Sequence, residues 1–214
     1  MEEREFELKH VLHKPLKDTG SKTGVIVLPG ISGDPLGARY NILGDALAKS
    51  RIYCLRFAIW ENESDLTRFS MRDLYDRISL AVDYLKSLGC EKIGAVGKSL
   101  GGAILLHYNE RKIDASVLWA PAIGFYEKEN VSELMDVKFS SINGAFDFRI
   151  DNEMLSKLDS EILILQGTAD KSVPRENSEK ICNNLPSCKI EFLEGFGHSY
   201  DKLGEIEAVD MQRV

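Results

Sequence analysis

Short apolar runs rich in Val, Ile and Leu recur along the chain, at 25–28, 53–59, 93–96, 115–120, 161–166 and 189–193. Runs of this length with near-continuous apolar character read as strands buried on both faces, the habit of a mostly parallel sheet. Between them lie helical-period stretches at about 36–49, 70–88, 100–110 and 175–184. The second is the clearest, with Met71, Leu74, Ile78, Ala81, Val82, Leu85 and Leu88 on one stripe and Gly89 after it. Strand and helix alternate, which predicts an α/β architecture with helices on both sheet faces and the run 92–96 central, beside 25–28 and 115–120. An earlier segment, 5–11, alternates apolar and polar positions and reads as an antiparallel edge strand. No repeat or low-complexity tract interrupts the pattern.

One region breaks the rhythm. From 123 to 158 the chain carries Phe125, Tyr126, Phe139, Phe146 and Phe148 among charged residues without clear period. A connection this long is either a small ordered lid or a surface helical hairpin packed on its own aromatics.

Composition narrows the class. With 214 residues, 43% of them hydrophobic, the chain can fill one substantial core and not two, so a single domain over 1–214 is expected. The formal net charge of -7 and the lack of a basic cluster argue against a nucleic-acid or anionic-membrane surface. The first ten residues, MEEREFELKH, lack an apolar signal core, and no apolar stretch approaches a membrane span, so a cytoplasmic protein is expected. The four cysteines, Cys54, Cys90, Cys182 and Cys188, form no C-x-x-C pair; their positions in or beside the expected elements favour buried free thiols and do not require a disulfide.

The stretch VGKSLGG, 96–102, admits two chemistries. Gly97-Lys98-Ser99 could end a phosphate-binding loop, but such a loop needs a glycine five residues earlier, where Lys92 stands on a turn-free apolar strand. Gly97-Lys98-Ser99-Leu100-Gly101 also reads G-x-S-x-G, a sharp strand-to-helix turn that presents a serine nucleophile and needs small residues on both sides. A serine hydroxyl is a weak nucleophile near neutral pH and needs a base, usually histidine, oriented by a carboxylate. Of the four histidines, His10 and His13 lie near the N-terminal edge and His107 lies about two turns along the helix after Ser99. His198, in EGFGHSYD, follows the last expected strand in a glycine-rich loop. Asp170, in GTADKSVP, follows another strand at the same sheet edge, where ligands bind in open α/β sheets. Asp147 and Asp151 are the backup acids.

From VIVLPGISGD through GKSLGG and GTADKSVP to GFGHS, the chain resembles a small α/β-hydrolase of the serine esterase, lipase and aminopeptidase kind. The order Ser99, Asp170, His198 is the order of that family's triad. The resemblance implies an oxyanion hole made of the backbone N–H groups of Ile31 and Leu100. The chain departs from the family at Pro29, which stands where a histidine is usual before Gly30, and after the 53–59 strand, where Trp60 and Glu61 replace a small-residue turn. Trp60, Phe125, Tyr126 and Phe146 are the candidate pocket residues. The function expected is hydrolysis of a carboxylic ester, less readily a thioester or short peptide, through an acyl-enzyme on Ser99. The same triad would also serve an acyltransferase, and the fold could persist in a non-catalytic binding or scaffold protein. No metal or organic cofactor is implied: His10 and His13 lack a convincing third ligand, and no dinucleotide fingerprint occurs. The partner expected is a small acyl substrate.

Overall fold

Seven strands form one sheet in the order β1-β3-β2-β4-β5-β6-β7. They are β1 (His10–His13), β2 (Thr23–Leu28), β3 (Tyr53–Phe57), β4 (Lys92–Lys98), β5 (Ala115–Trp119), β6 (Glu161–Gly167) and β7 (Cys188–Leu193). The computed structural model of the chain describes residues 6–15, 22–31, 33–61, 65, 69–108, 113–123, 152–185 and 187–199. All neighbouring strands are parallel except β1, which runs antiparallel to β3 at the edge. The central position expected of 92–96 is borne out, with β2 on one side and β5 on the other.

Among the described residues the helices are α1 (Ala38–Lys49), α2 (Met71–Ser87), α3 (Leu100–His107), α4 (Asn152–Ser156) and α5 (Arg175–Asn183). Alternation along the strands divides the core between two faces. Ile26 and Leu28 of β2 join Leu74, Ile78 and Leu85 of α2 and Leu100 and Ile104 of α3 in one cluster. Val25 and Val27 face the other way and pack with Tyr40 and Leu43 of α1 and Val96 of β4. Because both faces are covered, β2 and β4 are apolar almost throughout.

Helix α2 starts where its sequence dictates. Ser70 Oγ accepts from the Asp73 N–H, and the Asp73 carboxylate accepts from the Ser70 N–H at 2.6 Å, a reciprocal capping box. Its buried stripe is Leu74, Ile78, Ala81, Val82 and Leu85.

Three expectations are corrected. The edge strand is His10–His13 rather than 5–11, because Phe6 is buried edge-on against Phe57 and stacked on Tyr84, so the alternation there records core packing and not a ladder. Helix α3 ends at His107 instead of 110: Tyr108 takes φ -75° and ψ 78°, and its hydroxyl pairs with Ser79 Oγ of α2 at 2.9 Å. Cys182 and Cys188 form a disulfide, whereas Cys54 and Cys90 are free and buried. The turn from α5 into β7 brings the two Cα atoms to 4.9 Å, within disulfide reach, a closeness that sequence spacing does not reveal. The proposed lid, 123–158, lies outside the described residues except for Ile123 and 152–158, which include α4. Among the described residues no helix is long and apolar enough to cross a membrane.

Removing the Ser70 cap should cost about 1 kcal/mol of stability. Urea unfolding of Ser70→Ala is expected to show a lowered midpoint with an unchanged slope.

Candidate active site

Strand β4 runs straight into Ser99, which takes φ 51° and ψ -114° before α3 begins at Leu100. A positive φ at a residue with a Cβ is strained, and the surroundings hold it there. The Ser99 N–H donates to the Trp119 carbonyl at 2.8 Å, and its own carbonyl accepts from Ala103 and Ala122, each at 3.1 Å. Crowding explains the flanking glycines. A Cβ on Gly101 would lie 2.5 Å from the Pro29 carbonyl oxygen, and one on Gly97 2.7 Å from Leu105 Cδ1. Helix α3 therefore presses directly on the end of β2, and the loop after β2 lies against the serine: a Cβ on Gly30 would sit 3.3 Å from Ser99 Cβ.

That loop turns at once. The Gly33 N–H donates to the Gly30 carbonyl at 2.9 Å, leaving Ile31 at the second position of the turn, with its own N–H outside the turn's bond. Leu100 opens α3, where backbone N–H groups have no intrahelical acceptor. Tyr40 of α1 supports the loop from below. It is buried, hydrogen-bonds the Gly30 backbone and stacks on Trp119 with ring centroids 6.3 Å apart; burial pushes its pKa up to about 12, so it stays a neutral phenol.

Asp170 and His198 are brought together from different strands. His198 Nδ1 lies 2.8 Å from Asp170 Oδ2, while Asp170 Oδ1 accepts the N–H groups of Ser172 at 2.8 Å and Val173 at 2.9 Å. The Asp170 side chain is fully buried, and burial alone would raise its pKa. The bond from His198, the two backbone donors and the charge of the imidazole outweigh that, so the carboxyl is held below its ordinary value. A carboxylate at Nδ1 fixes the proton there and leaves Nε2 as the basic nitrogen, with the ring 22% exposed.

The loops bearing the pair are laced together. Ala169 N–H donates to the Phe196 carbonyl at 2.9 Å, Thr168 N–H to the Leu193 carbonyl at 3.0 Å, and Gly195 N–H to Thr168 Oγ1 at 2.7 Å. Only glycine fits at 167, where a Cβ would be 2.3 Å from the Phe196 carbonyl oxygen. Beneath them Gln166, fully buried, donates to the Val173 carbonyl at 3.2 Å and accepts from Ser178 Oγ at 2.8 Å, anchoring the Asp170 turn to α5.

Ser99, Asp170 and His198 thus follow β4, β6 and β7, parallel strands whose carboxyl ends share one sheet edge. Trp60, 5% exposed, is packed in the larger core cluster. Phe125, Tyr126 and Phe146, and the backup acids Asp147 and Asp151, lie outside the described residues. His107 is buried in α3, and His10 bonds the Leu8 carbonyl. Sequence reasoning passed over Tyr40, Gln166 and Arg56, each of which is fixed chiefly by partners on other elements or loops. Only Arg56 left a trace, as a charge inside an apolar strand. Among the described residues no three His, Cys, Asp or Glu side chains are grouped to hold a metal ion.

No protein-family model matches the chain, and no curated protein matches it in sequence. Solved structures do match in shape. Est1E from Butyrivibrio proteoclasticus superposes with a TM-score of 0.76 at 19% identity, covering 94% of this chain and 90% of its own, and a second structure of it, with ferulic acid bound, has the same TM-score and identity over 96% and 93%. Dienelactone hydrolase from Anabaena variabilis gives 0.69 at 21% identity over 96% and 88%. The metagenome-derived lipolytic enzymes LipS and LipT are represented by a match of 0.70 at 17% over 96% and 95%. With its mostly parallel seven-stranded sheet and these neighbours, the chain has the α/β-hydrolase fold.

Proposed function

We propose that the chain is a serine hydrolase that cleaves carboxylic esters through an acyl-enzyme on Ser99. The observation that carries this reading is the strained Ser99 turn at the sheet edge that also bears an ionised Asp170 hydrogen-bonded to His198. Strain at a nucleophile turn costs stability and is retained where exposure of the hydroxyl serves chemistry. The resemblance in fold to esterases and lipolytic enzymes supports the same reading.

In this mechanism His198 Nε2 takes the Ser99 proton as Oγ attacks the ester carbonyl, and Asp170 stabilises the imidazolium from Nδ1. The oxyanion forms beside the backbone N–H groups of Ile31 and Leu100, which require no reorganisation because the Gly30–Gly33 turn and the α3 start are already set. His198 returns the proton to the leaving alcohol. Water, deprotonated by the same nitrogen, then releases the acid and regenerates Ser99. Thioesters and short peptides could enter by the same steps, with ester the better leaving group than amide.

Ser99→Ala and His198→Ala should each lower kcat for short-chain p-nitrophenyl esters by about 10^6, with the double variant scarcely worse, because the groups act as a unit. Asp170→Asn should lose about 10^4, since it misplaces the imidazole proton without removing the base. Fluorophosphonate labelling of wild type but not Ser99→Ala accompanies these losses. Wild-type turnover by folded Ser99→Ala would overturn the mechanism.

The oxyanion assignment separates from the triad. Ile31→Pro deletes the N–H and should lower kcat by about 10^2 to 10^3, whereas Ile31→Ala keeps it and should stay within a few fold. Steady-state kinetics on variants with wild-type circular dichroism decide the matter, and equal rates for both would remove Ile31 from the oxyanion hole.

A further inference from the structure

Arg56 interrupts the apolar strand β3 and is 1% exposed, so its guanidinium has to be satisfied within the protein. Its Nε donates to His13 Nε2 at 2.9 Å, one terminal nitrogen to the carbonyls of Pro35 at 2.8 Å and Gly37 at 3.3 Å, and the other to Asn41 Oδ1 at 2.9 Å. Pro35 and Gly37 close the loop that opens with Gly30 and Ile31 and leads into α1. The planar fork of the arginine therefore grips the far end of the segment whose near end lies against Ser99.

The imidazole of His13 sets the fork. Its Nε2 faces a donor that keeps its proton at all ordinary pH, so Nε2 has to offer a lone pair. Its Nδ1 lies 2.8 Å from Asp45 Oδ1 and carries the proton, and Asn41 Nδ2 donates to Asp45 Oδ2 at 3.3 Å. Only neutral His13 with its proton on Nδ1 completes both bonds. Three elements meet in this network: β1 through His13, β3 through Arg56, and α1 through Asn41 and Asp45.

We propose that Arg56 is a positioning residue for the oxyanion loop, and that neutral His13, oriented by Asp45, holds the guanidinium in the geometry the loop needs. The proposal rests on the esterase reading of Ser99. It adds that the backbone donor at Ile31 is aligned by a buried cation at the opposite end of its loop.

Protonation of His13 would set one N–H against another and release the fork. Burial chiefly lowers the pKa of His13, the Asp45 hydrogen bond opposes it, the Arg56 charge lowers it further, and the Asp45 charge opposes that. The other charges near the site are Lys14 and Lys49, which share a surface recess with His13 and Asp45, and Asp34, whose charge acts on Arg56. Cys54, paired with His13 across the ladder, has its thiol pushed up to about 12 by burial and stays uncharged. Because the folded pKa of His13 lies below 6.5, its contribution is complete above that value and is lost as pH falls below it toward the folded pKa.

The test uses Arg56→Lys, His13→Leu and His13→Gln in the full chain, with cooperative unfolding to establish that each folds. Arg56→Lys keeps the charge and loses the fork; His13→Gln keeps an acceptor for Arg56 and a donor for Asp45. Arg56→Lys and His13→Leu should lower kcat for p-nitrophenyl acetate about ten- to a hundredfold with KM changed less than about threefold, and should lower amide exchange protection at Gly33 and Gly37, whose N–H groups close turns in this loop. His13→Gln should restore both, and should remove the loss of protection expected of wild type as the pH falls below 6.5. Folded Arg56→Lys with wild-type kcat and protection would overturn the proposal. Should Arg56→Lys not fold, His13→Leu decides alone by the same two readings. If wild type neither turns over esters nor takes a fluorophosphonate label while loop protection still depends on Arg56 and His13, the esterase reading falls and the anchoring of the loop stands.

Discussion

The close approach of α3 to the end of β2 is the contact on which the rest of the carboxyl edge depends. At Gly101 a single added carbon would lie 2.5 Å from the Pro29 carbonyl oxygen and 2.6 Å from that of Leu28, so helix and strand meet backbone to backbone. With α3 pressed this near, the chain leaving β4 has too little length to turn through ordinary dihedrals, and Ser99 takes the positive φ instead. The same contact sets the loop after β2 beside the serine. One packing constraint thus sets the Ser99 turn and brings the loop after β2 and the first residues of α3 beside it.

Loops at this edge are also tied down by buried polar side chains. Asp170 is held by two backbone donors and His198, Gln166 by α5, Gly30 by Tyr40, and Pro35 and Gly37 by Arg56. A buried polar group left unpaired costs about 1–3 kcal/mol, so each of these side chains disfavours any loop arrangement that breaks its bonds. Apolar packing would hold the loops near the edge without fixing their angles. The hydrogen bonds supply direction as well as proximity, which the proposed proton relay and oxyanion site would require.

Legibility in the sequence followed the range of the interaction. The strands of the central sheet were readable because burial on both faces leaves a continuous apolar run, and α2 because its stripe, its Ser70–Asp73 box and Gly89 are all local. The spacing of glycines about Ser99 was readable for the same reason, since the constraint and its consequence lie within a few residues of each other, whereas the order of Ser99, Asp170 and His198 was an expectation from the family resemblance. What escaped was long-range. Tyr40 reads as one more apolar face residue of α1 until Gly30 is seen above it, and Gln166 as a polar strand end until Ser178 and Val173 close on it. The alternation at 5–11 was real, but it recorded Phe6 packing on Phe57 and Tyr84. The Cys182–Cys188 bond depended on a turn whose geometry the residue types do not specify.

The site is built in two halves, and the geometry that joins them lies in neither. Ser99, Gly30 and the start of α3 are bound to one another through β2 and β4, whereas Asp170 and His198 ride on loops laced together beyond β6 and β7. Strand β5 lies between, and the residues that follow it reach both ways. Ala120, at φ 43°, donates to the Leu165 carbonyl of β6 at 3.0 Å; Ala122 donates to the Ser99 carbonyl at 3.1 Å; and the Ile123 carbonyl accepts from Asn177 of α5. The separation of Ser99 from His198 is therefore carried by three backbone groups on the segment that follows β5. A second strained residue at Ala120 has a physical reason in this arrangement: the chain leaving β5 must turn sharply enough to bond β6 with one N–H and the serine turn with another two residues later. Small side chains at Ala120 and Ala122, both fully buried, leave room for that turn between the two halves.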